Sequence, residues 1–378
     1  MVSSIIDEGR EALSRWRILH VSDTPLPDAR IEKMAYSIAE RGAETYFAGP
    51  YSKRPALPEK GFKSLFTLDW SPRARMHLPP YWRTIKLSIK RLVDMLKPDL
   101  IHAHNIFAAR LSYELGLRMV YDDHEYWPLE LKAMRNYSSR SGLINVYLSW
   151  LASRWSKAIS DRAPIIAASP TVVQEYLEHG EAFLVPSYPN KLEIHMMRYQ
   201  MRPRDGLSCV VIGRDFPAQV SFRDTSGLLE ALKYEEAVEV TLIGPPKNFT
   251  SNPRVHSLGY LNYADLLMEL PRHHVGLIPW KPHWFHKYCS PNKAYQYAHA
   301  GLVVVAPYTM EPVIEAIGRD LCLTFRDFQE LAEILRDLSR DLKYALKLGR
   351  ETRECARERL TWELYEDAIG EAYESAYA

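Results

Sequence analysis

The chain has 378 residues, of which 47% are hydrophobic and 25% are charged, as in an ordinary globular protein. At about 150 residues per domain this length predicts two or three domains, and the composition excludes a disordered or fibrous chain. The 48 basic and 47 acidic residues leave a net charge of +1, so no overall field draws the protein to nucleic acid or anionic lipid.

The cysteines and the first residues indicate a reducing compartment. The four cysteines lie far apart and form no CxxC pair, so neither a zinc site nor a disulfide framework is predicted. Residues 1–17 carry charges where a secretory signal needs an apolar run. Uncharged apolar-leaning stretches such as residues 141–153 are shorter than the roughly 20 residues of a spanning helix. We expect a cytoplasmic protein, soluble or peripheral at the inner face of the membrane.

Strands and helices alternate from the start of the chain. Residues 17–22 form a short apolar run, residues 31–39 place apolar side chains at helical spacing, and residues 44–48 form the next apolar run. This is the pattern of a βαβ unit. Further strands are predicted at 99–103, 118–122, 164–168 and 182–185. Alternating strands and helices predict a doubly wound parallel sheet.

A second series of the same kind follows two prolines, Pro186 and Pro189. Its strands are predicted at 207–213, 238–244, 255–258, 274–278 and 301–306. We therefore predict an α/β protein of two Rossmann-like domains facing a central cleft, residues 1–188 and residues 189–360.

Ligands of open α/β sheets bind beyond the carboxyl ends of strands, so the residues there are candidates for function. The loop after the first strand lacks the glycine fingerprint of dinucleotide folds. Arg30, at the predicted helix start in that region, is a candidate for an anion contact, and a solvated turn explains it equally well. His102 and His104 alternate in a strand and suggest either a metal or ordinary packing.

Residues 122–125 place three carboxylates and one histidine in four consecutive positions after a predicted strand. A metal site and a general base are both consistent with this cluster. Acidic residues also favour the positive end of a following helix. The position favours function, so Asp123, His124 and Glu125 are our catalytic candidates.

Basic residues predict an anion site in the second half. Arg214 and Arg223 offer forked donors for a diphosphate. Ser290 and Pro291 are predicted as N-cap and first helical residue. Lys293 then falls in the first turn, where a cation is unfavourable to the helix dipole. This suggests a bound anion.

Six of these segments together resemble the GT-B glycosyltransferases, in particular the large retaining family (family 4-like) that uses nucleotide-diphosphate sugars. The resemblance extends over nearly the whole chain. It depends on residues 99–104 (DLIHAH), 120–125 (VYDDHE), 211–214 (VIGR), 228–232 (LLEAL), 256–260 (HSLGY) and 290–293 (SPNK).

The resemblance implies roles for particular residues. His124 would lie beside the sugar and the reacting centre, with Arg30 and His104 as acceptor or phosphate contacts. Donor-binding residues would be Arg214, Arg223, Gly259, Tyr260, Leu261, Tyr288, Ser290, Asn292, Lys293 and Gln296. The final helix, about residues 361–378, would return to the N-terminal domain. No metal and no cofactor beyond the nucleotide sugar is implied.

Three departures distinguish this chain from the family. Residues 28–30 stand where the family often has a paired glycine loop, and Arg223 stands where it has a lysine. Its two glutamates fall on Tyr288 and Gln296, and the amide oxygen of Gln296 can still accept from a ribose hydroxyl.

The implied mechanism is a front-face displacement in which the departing diphosphate takes the acceptor proton, with retention of anomeric configuration. An inverted product would make Asp123 or Glu125 the general base. A nucleotide-sugar epimerase and a non-catalytic nucleotide-sugar-binding protein remain alternatives.

Two basic segments suggest a membrane contact. Residues 78–97 and 133–162 each carry five basic residues and one acidic residue, together with aromatic side chains. Basic helices with aromatic anchors suit an anionic membrane surface, while packed aromatics with solvated cations are the alternative. The acceptor would be a glycan or a lipid-linked molecule.

Overall fold

The computed structural model describes residues 15–51, 61–70, 79–134, 140–198, 206–213, 221–233, 235–245 and 252–378. The chain divides into two compact units. Unit 1 consists of residues 1–129, 147–185 and 365–378, and unit 2 consists of residues 130–146 and 186–364.

Unit 1 is built on a seven-stranded parallel sheet with strand order β3-β2-β1-β4-β5-β6-β7. Its strands are β1 Arg17–Ser22, β2 Glu44–Gly49, β3 Ser64–Thr67, β4 Leu100–His104, β5 Met119–Asp123, β6 Ile165–Ala167 and β7 Ala182–Leu184. The helices described before residue 186 are α1 Ala29–Ala39, α2 Pro79–Leu96, α3 Asn105–Glu114, α4 Trp127–Ala133, α5 Arg140–Ser160 and α6 Pro170–Leu177.

Local sequence explains how α1 follows β1. Asp28 is the N-cap of α1, and its carboxylate accepts from the backbone N–H groups of Arg30 (3.0 Å) and Ile31 (3.1 Å). Ile31 then packs against Phe47 of β2 in a fully buried contact. The capped first turn fixes where the side chain of Arg30 enters the unit.

The C-terminal helix α14, Asp367–Tyr377, completes unit 1. Tyr373 is fully buried, and its hydroxyl lies 2.6 Å from Nδ1 of His102 in β4. Ser37 of α1 donates to a carboxylate oxygen of Glu366 at 2.7 Å. The predicted return of the last helix to the first unit is confirmed.

Unit 2 is built on a six-stranded parallel sheet with order β10-β9-β8-β11-β12-β13. Its strands are β8 Leu207–Ile212, β9 Val238–Ile243, β10 Val255–Gly259, β11 Val275–Leu277, β12 Val303–Pro307 and β13 Cys322–Phe325. Its helices after residue 186 are α7 Lys191–Met196, α8 Leu228–Ala231, α9 Tyr263–Glu269, α10 Asn292–His299, α11 Glu311–Ile317, α12 Phe328–Arg340 and α13 Leu342–Arg359.

A glycine lets α10 pack closely on this sheet. A Cβ at Gly276 in β11 would lie 2.2 Å from Cγ of Tyr297. The Tyr297 hydroxyl accepts from the N–H of Ile212 at 2.9 Å. This contact ties the helix to the carboxyl end of β8.

The prediction of two parallel α/β sheets is confirmed, with corrections at strand ends. Strands β4 and β5 each run one residue further than predicted, so that His104 and Asp123 are strand residues. The prediction missed β3 and β13, which lie at sheet edges. Among the described residues, no helix combines the length and apolar composition that crossing a membrane requires.

Candidate active site

Strand register assembles a polar cluster in the interior of unit 1. His104 pairs with Asp122 across β4 and β5, and Ser22 pairs with His104 across β1 and β4. Paired residues of parallel strands point to the same face. His20 and His102, two residues earlier, are paired in the same way. All these side chains are buried.

Asp122 is the centre of this cluster, and its charge is balanced by Arg30. Nε of Arg30 lies 3.1 Å from each carboxylate oxygen, and Nη2 lies 2.6 Å from Oδ1. A third nitrogen of the guanidinium donates to the carbonyl of Val185 at 2.7 Å. Burial alone would raise the pKa of Asp122, but the Arg30 charge, followed by that of His124, holds it well below its usual range. The carboxylate is therefore ionised in the folded protein.

His124 lies beside this carboxylate with its side chain 13% exposed. Its Nε2 is 3.0 Å from Oδ2 of Asp122. Burial lowers the pKa of His124, but the Asp122 charge and hydrogen bond outweigh burial and raise it above the usual value. Because the carboxylate accepts, Nε2 carries the proton, and Nδ1 is left for other contacts.

Behind Asp122 lies a histidine ladder, formed by His20, His102 and His104. The rings stack with interplanar angles of 15–20°, and Nδ1 of His20 is 3.0 Å from Nε2 of His104. Burial lowers the pKa of each of the three, so they are neutral. One ring nitrogen from each of the three histidines lies within 4.8 Å of the others, a spacing at which they could hold a metal ion.

His104, Asp122 and His124 form a second group whose ligand atoms lie within 4.8 Å of one another. Here Arg30 is bonded to the same carboxylate and supplies the positive charge that a metal would bring. These side chains are better explained as a buried ion pair between Arg30 and Asp122, with two histidines beside it, than as the ligands of a metal ion.

The structure separates the other two catalytic candidates from this cluster. Asp123 points to the opposite face of the sheet, where it accepts from the Tyr176 hydroxyl at 2.6 Å and lies 3.5 Å from the N–H of Trp127 at the start of α4. Burial raises the pKa of Asp123 to about 6. This position agrees with the helix-capping alternative. Glu125 is exposed.

Sequence reasoning placed Asp122 in the 122–125 cluster but did not choose it as a site residue, although it named Arg30, His104 and His124 around it. The sequence shows His102 and His104 two residues apart in one strand and two aspartates at the end of the next strand. Only the pairing register between β4 and β5 shows that Asp122 lies beside these histidines.

In unit 2, two predicted donor-binding cations lie around one indole ring. Nζ of Lys293 is 5.0 Å from the ring centroid of Trp280, and the guanidinium carbon of Arg223 is 5.8 Å from it. Lys293 also donates to the carbonyl of Ile212, the last residue of β8. These cations therefore lie at the carboxyl end of the sheet, where ligands of such folds bind. Arg214 lies outside the described residues.

The start of α10 differs from the prediction in two respects. Pro291, not Ser290, occupies the N-cap position, and the Ser290 hydroxyl is 2.7 Å from that of Tyr295. The carbonyl of Ile212 and the Trp280 ring also stabilise the charge of Lys293 within the chain. The lysine at this helix start therefore has an explanation that requires no bound anion.

Gln296 and Tyr288, at the places of the family's glutamates, are both buried. Nε2 of Gln296 donates to the Tyr263 hydroxyl at 3.1 Å, and that hydroxyl donates to Glu193. The amide nitrogen is thus turned toward α9, which leaves the amide oxygen as the atom for a ribose hydroxyl. Asn292 is half-buried as the first residue of α10.

The predicted nucleobase loop has an open backbone. Gly259 adopts φ 73°, a left-handed conformation that glycine accommodates without strain, and its carbonyl accepts from Gly244 at 2.8 Å. The register between β9 and β10 shifts at this residue. Tyr260 is exposed, and Leu261 is half-buried.

Comparison with known proteins agrees with this geometry. Residues 30–185, which include Arg30, His102, His104, Asp122 and His124, match the sequence model of the family described as Glycosyltransferase Family 4. A search of curated protein sequences found no match.

Solved structures share the fold over most of the chain. A sucrose-phosphate synthase from Thermosynechococcus elongatus superposes with a TM-score of 0.77 at 16% identity, covering 96% of this chain and 99% of its own. The Anabaena protein HepE in complex with UDP-glucose gives 0.66 at 14% identity, covering 95% and 99%. An α,α-trehalose 6-phosphate synthase from Burkholderia multivorans gives 0.65 at 13% identity, covering 96% and 98%.

Two parallel Rossmann-like sheets, together with these likenesses, define the fold as that of the GT-B glycosyltransferases. Residues 30–185, fewer than half of the chain, match the model of Glycosyltransferase Family 4, and the chain shares the GT-B fold over 95–96% of its length.

Proposed function

We propose that the protein transfers a sugar from a nucleotide-diphosphate sugar to a hydroxyl acceptor, with retention of anomeric configuration and without a metal ion. The observation that carries this proposal is the placement of Arg223 and Lys293 around Trp280 at the carboxyl end of β8. Two fixed cations there can bind the two phosphates of a donor. HepE, which has this fold, is described in complex with UDP-glucose, and this favours a nucleotide sugar as donor.

In the proposed reaction, the bond between the anomeric carbon and the diphosphate oxygen breaks while the acceptor oxygen bonds to that carbon. The acceptor proton passes to the departing diphosphate. Negative charge grows on the diphosphate as the bond breaks, so cations already in place stabilise the transition state more than the ground state. Arg223 and Lys293 thereby supply the positive charge that a metal ion supplies in other transferases.

We assign His124 the role of orienting the sugar. Its ring is held by the ionised Asp122, which is fixed in turn by Arg30. A raised pKa gives the ring a larger protonated fraction near neutral pH, and a positive ring suits a hydrogen bond to a sugar hydroxyl.

The donor site is tested by Lys293→Gln, with the exposed Lys343→Gln as matched control. We expect kcat for transfer from the best donor to fall about 10²–10³-fold in Lys293→Gln and to stay unchanged in Lys343→Gln. Donors are first found by thermal shift with nucleotide diphosphates and their sugars, since ligands of the native state raise Tm. Equal activity in both variants would remove Lys293 from the donor site.

The stereochemical outcome is tested by NMR of the product's anomeric proton. Retention is expected, and an inverted product would overturn the front-face mechanism. Conversion of the donor without an acceptor would indicate an epimerase. Donor binding with neither transfer nor hydrolysis over a panel of acceptors would indicate a non-catalytic protein.

A second proposal concerns an anionic membrane surface, which a lipid-linked acceptor would require. The aromatic residues of the two basic segments divide into two groups. Trp82 of α2 and Trp155 of α5 pack on either side of Arg110, each ring centroid 4.0 Å from the guanidinium carbon, so they are packing groups rather than anchors. Tyr147 and Trp150 of α5 are stacked and each 55% exposed.

One exposed cation accompanies this aromatic pair, since Arg154 lies over the Trp150 ring at 5.9 Å. Arg83 and Lys90, in the other basic segment, line a pocket of about 500 Å³ along α2 and α3. Exposed aromatics with nearby cations are what binding at an anionic lipid surface needs.

Co-sedimentation with phosphatidylglycerol and phosphatidylcholine vesicles tests the membrane proposal. We expect binding to the anionic vesicles that weakens in high salt and is reduced in Trp150→Ala, but not in the control Tyr344→Ala, an exposed aromatic of α13. Absence of binding at low salt, or equal binding of both variants, would reject the proposal.

A further inference from the structure

Unit 2 contains a second basic pocket, lined by α7, the residues after it, and α13. It has a volume of about 280 Å³. Its lining comprises one apolar residue and five basic residues: Ile194, Lys191, His195, Arg198, Arg353 and Arg357. Among the described residues, no carboxylate lines this pocket.

The cationic groups are closer together than their charges favour. Arg353 and Arg357 are one turn apart on α13, and burial together with the charge of Arg357 lowers the pKa of Arg353. The guanidinium of Arg198 donates to Nε2 of His195. The like charges of Arg353 and Arg357 repel at their spacing, and an anion beside them would relieve that repulsion.

One donor in the pocket has no acceptor within the described part of the chain. Nη2 of Arg353 donates to the carbonyl of Met197 at 3.3 Å, while its Nε is buried and makes no hydrogen bond. Leaving a buried charged donor unsatisfied is costly. Such a donor is usually explained by a ligand or an ordered water.

Two carboxylates lie on the segments next to the pocket. One oxygen of Glu363 accepts from the backbone N–H of Lys191 at 2.8 Å, and its other oxygen is buried without a hydrogen bond to any residue that the structure describes. Glu193 accepts from the N–H of Asn190 at 2.7 Å and from Tyr263. Within the part of the chain that the structure describes, neither carboxylate forms an ion pair with a side-chain cation of the pocket.

The frame of the pocket is rigid. Asn190 and Glu193 form a reciprocal capping box at the start of α7, and the N–H of Trp362 donates to the carbonyl of Pro189 at 3.0 Å. These contacts hold the start of α7 and the segment after α13 in place beside the pocket.

We propose that this pocket binds the phosphate group of a small anion, either orthophosphate or a phosphomonoester. Arginine forks match the oxygens of a phosphate, and the three arginines offer donors from two directions. The volume accommodates a phosphate with a small attached group. None of the residues proposed for the donor lines this pocket, so the ligand is distinct from the sugar donor.

Isothermal titration with orthophosphate at constant ionic strength, balanced with sodium chloride, tests the proposal. We expect saturable binding that weakens about tenfold in Arg357→Gln, equivalent to about 1.4 kcal/mol. The matched control is Arg359→Gln, an exposed arginine on the same helix but outside the lining. Lack of binding, or equal weakening in both variants, would overturn the proposal.

Two further arms identify the source of the phosphate and the site. A hexose monophosphate that binds more tightly than orthophosphate indicates a phosphomonoester, and equal or weaker binding indicates the free ion. Orthophosphate binding that persists in Lys293→Gln and is lost in Arg198→Gln supports the pocket, whereas the reverse pattern would assign it to the proposed donor site. Circular dichroism of each variant verifies folding.

Discussion

Removing Arg30 from the buried pair with Asp122 gives the sharpest test of how unit 1 is held together. In Arg30→Met the side-chain volume is nearly kept, but the three contacts to the carboxylate and the one to Val185 are lost. Breaking a buried pair by removing one partner costs about 3–5 kcal/mol, because the other charge stays buried. For a unit of this size each kcal/mol shifts Tm by about 2–4 °C, so a decrease of roughly 6–20 °C is expected.

The assay is thermal unfolding by circular dichroism at pH 7, with Arg41→Met as control. Arg41 pairs with Asp367, whose side chain is 82% exposed, and exposed pairs contribute about 0–1 kcal/mol. Adding Asp122→Asn to Arg30→Met removes the stranded charge and should recover part of the loss. A loss in Arg30→Met no larger than in Arg41→Met, or no recovery in the double variant, would refute the reasoning.

Acidification provides an independent check on the same pair. A carboxylate whose folded pKa is depressed contributes stability above its unfolded pKa, about 3.9, and this contribution is lost as pH falls through the folded value. Arg30 is the principal cause of the depression in Asp122. The difference in stability between the wild type and Arg30→Met should therefore narrow as pH falls below about 4.

Two further predictions concern stability. Burial lowers the pKa of each histidine of the ladder, so the unfolded chain binds more protons below about pH 6.5. The free energy of unfolding, measured by urea denaturation, should therefore fall as pH decreases from 7 to 5, by up to about 1.4 kcal/mol per histidine and pH unit. A profile that stays flat over this range would contradict the prediction. In unit 2, Gly276→Ala would place Cβ 2.2 Å from the Tyr297 ring and should lower the free energy of unfolding, measured with denaturant, by about 1–3 kcal/mol. The control is Gly213→Ala, where an added Cβ would have no atom within 4 Å. An equal loss of stability in both variants would reject the close-packing argument.

The fold was largely predictable because its central strands are buried on both faces and appear in the sequence as short apolar runs. The runs end where polar residues begin, so the pattern placed the ends of β4 and β5 one residue early. His104 and Asp123 continue their strands because each is buried with a partner. Strands β3 and β13 were missed because they are short edge strands, and three of the four β3 side chains are exposed.

The sequence identified most residues of the candidate site individually, but it did not show which of them contact one another. Local sequence identified His124 and the cations of unit 2 as candidates. It could not identify Asp122 as the partner of Arg30, because 92 residues separate them and only the sheet register and the capped start of α1 bring them together. The bound anion predicted from Lys293 rested on the helix dipole alone. That argument could not take into account the carbonyl of Ile212, which belongs to a strand distant in sequence and accepts from Lys293.

The contact between Tyr373 and His102 has a consequence for the order in which the chain folds during synthesis. The whole of unit 2 is made before residue 365 leaves the ribosome, whereas unit 1 begins first and needs residues 365–378 to be complete. At about 5–20 residues per second, roughly 10–40 s pass between the synthesis of Val185 and that of Tyr373. Throughout that interval the nascent sheet of unit 1 lacks its closing helix, and His102 lacks its hydroxyl partner. Unit 1 can therefore be completed only after the last helix of the chain has been synthesised.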